Sequence, residues 1–216
     1  MRPGRAPGTL RIMSSQEPGP APFDRIGARY DESWSDRGPQ REAVAWLATR
    51  LPAGGRVLDL GCGSGDPTAR DLSEAGAEVV GVDESAVMLD LARANVPRAT
   101  FHQRDLRALD DLGEFDAVTA FFSLLMLPKA SIAEVLADLR TRLRGPRLLV
   151  LGMVRGDFDA YPLEFLDVPV AVTAYPDDEL SAVVYAAGFR VLELREVEAE
   201  AGERPEVHQY LYATAG

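Results

Sequence analysis

The stretch Val57-Leu58-Asp59-Leu60-Gly61-Cys62-Gly63-Ser64-Gly65 decides the fold of this chain. Apolar residues dominate its first half and predict a buried strand, whereas glycine occupies every second position of its second half. Glycine accepts positive φ and lets a ligand approach the backbone closely, so the pattern predicts a tight turn at the carboxyl end of a strand. Asp66 and Pro67 follow as the predicted N-cap and first residue of a helix, whose unpaired N–H groups would face the same crevice.

On both sides of this turn the chain alternates between β-rich and helical stretches. Strands are predicted at Arg56–Leu60, Glu78–Val82, Ala99–Gln103, Phe115–Phe121, Arg147–Met153, Phe189–Val197 and Val207–Thr214, the last two as an antiparallel hairpin. Helices are predicted at Gln40–Leu51, Pro67–Ala75, Ser85–Asn95, Ser131–Leu143 and Pro176–Ala187. This order predicts an α/β fold: a Rossmann-like, seven-stranded, mostly parallel sheet with helices on both faces and a C-terminal antiparallel hairpin.

The 216 residues suit one domain with additions rather than two full domains. Residues 1–20 hold four prolines and three glycines and few apolar residues, so they are predicted to be a disordered tail. Residues 21–216 form the predicted domain, in which residues 21–52 make N-terminal cap helices. The connection 154–176 is long for an α/β loop and predicts a lid or short hairpin.

The charge and the amino-acid composition argue against several kinds of binding partner and ligand. The formal net charge of −11 argues against binding to nucleic acid or to an anionic membrane surface. One cysteine allows no internal disulfide and fits a cytoplasmic setting, and two histidines make a metal site unfavourable. Monomer and homodimer stay equally open.

Three predicted strands each present an acidic residue at their carboxyl end, at the same edge of the sheet: Asp59, Asp83 and Asp105. Asp83 lies 22 positions after Gly61, close to the offset of roughly 20 at which a carboxylate reaches ribose hydroxyls. A nicotinamide enzyme is the nearest competing interpretation, but its G-x-G-x-x-G pattern differs from the G-x-G-x-G found here. Each aspartate also has an alternative role as a helix cap or turn former.

The turn with its preceding Asp59 resembles motif I of class I S-adenosylmethionine-dependent methyltransferases. The resemblance runs from about Phe23 to the C-terminus and is most similar to small bacterial members that act on small molecules. It includes Val82-Asp83-Glu84-Ser85 with Met88, Gln103-Arg104-Asp105-Leu106, Phe115-Asp116-Ala117-Val118, and Glu206-Val207-His208-Gln209-Tyr210-Leu211-Tyr212. The Asn/Asp-Pro-Pro-Tyr signature of nucleic-acid amino-methyltransferases is absent, because Ala120-Phe121-Phe122-Ser123 stands in its place.

The resemblance implies S-adenosylmethionine as cofactor, S-adenosylhomocysteine as product, and a role for each matched residue. Asp59 would reach the cofactor's ammonium, Asp83 its ribose hydroxyls, and Asp105 its adenine amino group. Phe121 would wall the cofactor near the sulfonium. The whole implied cofactor-binding set is Asp59, Gly61, Cys62, Gly63, Gly65, Asp83, Glu84, Met88, Asp105, Leu106 and Phe121.

The sequence gives less evidence about the site that would bind the methyl acceptor. The residues after Phe122 include no general base, whereas many members of the family have a histidine there. Tyr30 and His208 are the candidate catalytic residues, although Tyr30 also suits simple aromatic packing. His102 is more typical of a structural histidine. The predicted substrate-binding residues are Tyr30, Trp34, Phe122, Phe158, Tyr161 and Phe165, which together favour an apolar or aromatic acceptor.

Two functions remain open at this point. The first is methyl transfer to an O, N or C atom of a small metabolite, such as a natural product. The alternative keeps the S-adenosylmethionine pocket without methylation, as in a cyclase-type protein or a non-catalytic partner. Fold alone does not name the acceptor.

Overall fold

Nine strands are present in the computed structural model, which describes residues 21–33, 36–201 and 204–216. They are β1 Arg56–Leu60, β2 Glu78–Asp83, β3 Thr100–Gln103, β4 Phe115–Phe121, β5 Leu143–Val154, β6 Phe158–Phe165, β7 Val168–Ala174, β8 Phe189–Ala201 and β9 Arg204–Ala215. Seven form one sheet in the order β3-β2-β1-β4-β5-β9-β8, and β6 and β7 form a separate hairpin. Strand β9 runs antiparallel to β5 and β8, whereas the other pairs are parallel. The Rossmann-like fold is therefore confirmed.

The helices follow the strands in the predicted alternation. They are α1 Pro22–Ile26, α2 Arg29–Glu32, α3 Gly38–Ala48, α4 Thr68–Glu74, α5 Ala86–Asn95, α6 Lys129–Thr141 and α7 Asp177–Ala186, with a 3₁₀ helix at Leu124–Met126. In the described part of the chain, no helix combines the length and the apolar character needed to cross a bilayer.

The start of α4 differs from the sequence prediction. The helix begins at Thr68, and its first turn is not capped by a side chain. Asp66 instead binds two arginines, Arg41 at 3.2 Å and Arg70 at 2.7 Å. The prediction of Asp66 as N-cap is wrong, because ion pairs to α3 and α4 take up the carboxylate.

The core lies on both faces of the central strands. All seven residues of β4 are buried, and so are four of the five residues of β1. Parallel strands covered on both faces need such continuous apolar runs. Since the carboxyl ends of parallel strands meet at one edge, the residues after β1, β2 and β4 converge there.

The predicted lid is an antiparallel hairpin of β6 and β7. Val168 and Val170 of β7 are buried, whereas most of β6 is exposed. Lys129 at the start of α6 ties the base of the hairpin to the domain, because its Nζ contacts Asp157 at 3.1 Å and Glu179 at 3.0 Å. The hairpin therefore packs against the domain along β7, whereas β6 is exposed to solvent.

The terminal hairpin is longer than predicted. Strand pairing includes Glu198 opposite Val207 and Ala199 opposite Glu206, within the polar stretch that the sequence assigns to a connection. Backbone hydrogen bonds between β8 and β9 continue beyond the apolar core. The change from apolar to polar residues therefore did not predict where these two strands end. The tail 1–20 and Trp34 lie outside the described residues.

Candidate functional site

The glycine turn has the backbone geometry that its sequence predicts. Gly61, Gly63 and Gly65 have φ of 70°, 53° and 79°, values that favour glycine. A Cβ built on Gly61 would lie 2.2 Å from Cβ of Ser123, so no larger residue fits there. The N–H groups of Gly61 and Cys62 donate to the carbonyl oxygen of Val82 at 2.8 and 2.9 Å. The turn is therefore fixed against the ends of β2 and β4.

Asp83 holds the turn from the neighbouring strand β2. Its Oδ2 accepts from the N–H of Gly63 at 2.9 Å, and its Oδ1 accepts from the N–H of Ser85 at 2.9 Å. Burial raises the pKa of the Asp83 carboxyl above its ordinary value, against the lowering effect of these backbone donors. The carboxylate keeps further acceptor sites, since two oxygens offer about four lone-pair positions.

Asp59 is a buried carboxyl group that is half satisfied. The Thr119 hydroxyl donates to its Oδ1 at 2.8 Å. Its Oδ2 is buried and has no hydrogen-bond partner among the described residues. Burial, and to a smaller extent the charge of Asp83, raises the pKa of Asp59 from 3.8 to about 7, against the lowering effect of the Thr119 hydrogen bond. A buried carboxylate oxygen without a donor suits a cationic ligand group, because leaving it unpaired is costly.

A crevice of about 310 Å³ opens beside the turn. It brings together three predicted side chains, Tyr30, Asp59 and Phe121, with the backbone of Gly61, Cys62 and Gly63. The other lining residues were not predicted: Arg37, Gln40, Ser64, Asp66 and Thr68. The N-terminal cap and the glycine turn therefore share one cavity.

Arg37 and Gln40 bring polar groups from the cap to this crevice. Gln40 is buried, and its Nε2 donates to Oγ1 of Thr68 at 2.9 Å. Arg37 pairs with Asp31 at 2.9 Å, and its guanidinium lies 5.4 Å from the centre of the Tyr30 ring. Among the described residues that line the crevice, Arg37 alone is basic.

The residues expected around the adenine lie after the ends of β2 and β3, and they do not line this crevice. Asp105 binds Arg107, which lowers the pKa of the Asp105 carboxyl. Burial, and then the charge of Asp105, raises the pKa of Glu84. Leu106 and Met88 are buried nearby in the core of that edge. Their cofactor roles, and that of Gly65, stay predictions.

Aromatic side chains gather beyond the end of β4. Phe122 has φ of 55°, uncommon for a bulky residue, and its N–H donates to the carbonyl of Gly152 at 2.8 Å. Its ring lies 4.8 Å from the imidazole of His208 and 6.0 Å from the Tyr210 ring. Tyr210 also lies 6.2 Å from Phe121, which lines the crevice. The structure thus joins predicted residues to Tyr210, which sequence reasoning missed.

The remaining acceptor-site candidates divide between the cap and the exposed strand β6. The ring of Phe165 lies 6.3 Å from that of Tyr30, so the lid and the cap touch at this point. Phe158 and Tyr161 pack on each other at 5.7 Å but are 46% and 56% exposed, outside the crevice. Their assignment to acceptor binding stays a prediction.

Known proteins resemble this chain in sequence and in fold. The methyltransferase domain family matches residues 57–145. The chain is 32% identical to demethylmenaquinone methyltransferase of Thermus thermophilus over 210 residues, which cover 78% of this chain and 91% of that protein. It is 39% identical to magnesium-protoporphyrin O-methyltransferase of Rhodobacter capsulatus over 106 residues, 45% of this chain and 46% of that one. The chain thus spans less than half of the length of some curated relatives that it matches.

The fold agrees with these sequence relationships. The structure of the CcbJ methyltransferase from Streptomyces caelestis has a TM-score of 0.71 and 21% identity, and the match covers 91% of this chain and 99% of that one. The long match to the Thermus protein, the matching domain and the shared fold lead to one conclusion: this chain belongs to the class I S-adenosylmethionine-dependent methyltransferases.

Proposed function

We propose that the protein transfers the methyl group of S-adenosylmethionine to an O, N or C atom of a small-molecule acceptor. The observation that carries this proposal is the buried Oδ2 of Asp59 beside the glycine turn, which has no hydrogen-bond partner within residues 21–33, 36–201 and 204–216. The ammonium of the cofactor is a cation of the kind that this oxygen requires. The relatives support the reaction, because the curated proteins described above are named as methyltransferases.

The residues of the crevice, together with Asp83 at the end of the adjacent strand β2, fit the cofactor group by group. Asp59 would accept from its ammonium, and Arg37 would pair with its carboxylate. The ribose hydroxyls would donate to the remaining lone pairs of Asp83. The positive φ of Gly61 and Gly63 shapes the turn whose backbone lines the crevice, and a ligand can approach such a backbone closely.

The cofactor supplies an electrophilic methyl group on a positively charged sulfur. The protein contributes alignment and a dry site, which can account for much of the rate of an in-line displacement. Phe121 is suited to face the sulfonium, because a cation is attracted to an aromatic ring. The contact between Tyr30 and Phe165 supports closure of the cap and the lid over the acceptor.

The acceptor that this site favours is apolar or aromatic, such as a natural product. Tyr30, Phe122 and Tyr210 would provide its surroundings, with the exposed rings of β6 at the entrance. The net charge of −11 supports a small molecule rather than nucleic acid or an anionic membrane. A cytoplasmic location fits the single cysteine, and either a monomer or a homodimer is compatible with the site. No observation favours the alternative of a cofactor-binding protein that does not methylate.

Incubation with methyl-labelled S-adenosylmethionine and a panel of small phenols, amines and quinols tests this proposal. Labelled product formed in proportion to enzyme, and lost in Asp59→Asn, is the expected result. Tight binding of the cofactor with no labelled product across the panel would favour the non-methylating alternative. Binding of NAD in place of S-adenosylmethionine would restore the nicotinamide interpretation.

A further inference from the structure

Strand β9 presents a carboxylate, an imidazole and a phenol in a row. Glu206, His208 and Tyr210 are spaced two residues apart, so they share one face of the strand. Oε2 of Glu206 lies 3.5 Å from Nε2 of His208. The imidazole is only 6% exposed, and Glu206 is half-buried. The acid and the imidazole are therefore held together at the border of the interior.

This pair lies at the edge of the sheet where the proposed chemistry takes place. His208 is opposite Val154, the last residue of β5, so it sits at the carboxyl end of that strand. Its ring contacts Phe122, the residue after β4, at 4.8 Å between ring centres. Phe122 follows Phe121, which lines the crevice. The ring of Phe122 therefore lies between the imidazole of His208 and the predicted cofactor site.

We propose that Glu206 is a positioning residue that fixes His208 as the base for an acceptor whose reacting atom carries a proton, an O–H or N–H group. This inference rests on the proposed function. At a distance of 3.5 Å the Glu206 carboxylate favours the tautomer that carries its hydrogen on Nε2, and this tautomer has its basic lone pair on Nδ1. A carboxylate partner of this kind fixes the tautomer and the orientation of an imidazole.

The step balances with the groups named. The acceptor's proton passes to Nδ1 of His208, and the electron pair on its oxygen or nitrogen forms the bond to the methyl carbon. The carbon–sulfur bond breaks with its pair going to sulfur, which leaves S-adenosylhomocysteine. The imidazolium, whose charge Glu206 stabilises, then returns its proton to solvent.

The first test needs no acceptor. The chain has two histidines, His102 and His208, so a protein labelled with ¹⁵N-histidine gives a simple spectrum. His102 lies on β3, at the opposite edge of the sheet, and serves as internal reference. At alkaline pH, the ring of His208 should show at least about a tenfold excess of the Nε2–H tautomer over the Nδ1–H tautomer.

Glu206→Ala should reduce this excess several-fold, and Glu206→Asp, which keeps a carboxylate, should restore part of it. Glu198→Ala is the matched control, because Glu198 is an exposed carboxylate on the adjacent strand β8. A predominant Nδ1–H tautomer, or a ratio unchanged by Glu206→Ala, would overturn the pairing.

The second test measures turnover with an acceptor found in the labelled panel. Glu206→Ala should lower kcat at least about tenfold while the dissociation constant of S-adenosylhomocysteine stays within about twofold. An unchanged kcat, or an acceptor methylated at carbon, would overturn the catalytic role even if the tautomer shifts. If the unmodified protein forms no labelled product with any acceptor, the proposed function itself fails, and this result is distinct from an effect of Glu206→Ala.

Discussion

Oδ1 of Asp59, at the penultimate position of β1, accepts a hydrogen bond from the Thr119 hydroxyl of β4 at 2.8 Å, while the other carboxyl oxygen is buried and has no partner in the part of the chain that the structure describes. Two neighbouring strands thus hold one buried carboxyl group in place. The group has a pKa of about 7 in the folded chain because of its burial. Both its stability effect and its ligand preference follow from that value.

Without ligand, we expect the free energy of unfolding to fall as pH rises from about 4 to about 7. The sign follows because the folded pKa, about 7, lies above the reference value of 3.8, so ionisation favours the unfolded chain. Asp59→Asn should reduce this pH dependence, to which the raised pKa values of Asp83 and Glu84 also contribute. Urea unfolding at several pH values measures it, and a wild-type slope that the variant retains would show that other groups are responsible.

The affinity for S-adenosylmethionine should change with pH in the opposite direction. The cofactor's ammonium prefers the ionised form of Asp59, so binding should strengthen as pH rises from about 6 towards 7.5. In Asp59→Asn the affinity should be about 10- to 100-fold lower, the loss expected for a hydrogen bond to a charged group. Calorimetric titration across this range tests both statements, and an affinity of the variant equal to that of the wild type would remove Asp59 from the site.

Gly61→Ala should prevent cofactor binding and destabilise the chain. The added methyl group would lie 2.2 Å from Cβ of Ser123, at a φ of 70°. Gly54→Ala is the matched control, because Gly54 has φ of 67° but nothing within 4 Å of the added Cβ. The control should cost only about 1 kcal/mol from backbone strain, with binding unchanged. Equal losses in the two variants would mean that strain, and not the contact with Ser123, requires the glycine.

Asp83→Asn should weaken the binding of S-adenosylhomocysteine about 100-fold, because the ribose hydroxyls and the N–H of Gly63 both depend on its carboxylate. Asp105→Asn should have a smaller effect, since Asp105 is more exposed and already binds Arg107. Isothermal titration of both variants decides the order. A larger loss in Asp105→Asn would reverse the proposed ranking of the two aspartates.

Asp24 links the cap to the loop that follows Asp83. It accepts from the Ser85 hydroxyl at 2.6 Å and from the N–H of Val87 at 3.3 Å. Asp24→Ala should cost about 1–3 kcal/mol of stability and speed cofactor dissociation several-fold, as the cap loosens. Asp90→Ala, on the exposed face of α5, should change stability by less than about 0.5 kcal/mol. Stopped-flow dissociation with no difference between the two variants would argue against coupling of the cap to the cofactor.

Local patterns made the central part of the molecule predictable. The glycine turn, β1 and β4 follow from consecutive residues, because a buried strand and a turn with positive φ are both encoded locally. The start of α4 was less predictable, since the ion pair of Asp66 with Arg41 depends on a residue of α3 that lies 25 positions earlier in the chain.

The arrangement of the predicted acceptor site could not be predicted from the sequence, because it depends on contacts between residues that are far apart in the chain. Phe122, His208 and Tyr210 meet only because β9 inserts antiparallel beside β5. Arg37 reaches the crevice from the cap, and no local pattern fixed its direction. His208 was a candidate by sequence, but its partner Glu206 became visible only in the folded chain.

A calorimetric titration of the unmodified protein with S-adenosylhomocysteine, with NAD as the comparison ligand, tests directly whether the site binds the methyltransferase cofactor. We expect binding of one S-adenosylhomocysteine per chain with a dissociation constant below about 1 mM, strongly weakened binding in Asp83→Asn, and no heat of binding with NAD. Binding of NAD without S-adenosylhomocysteine, or an affinity that Asp83→Asn leaves unchanged, would contradict this expectation.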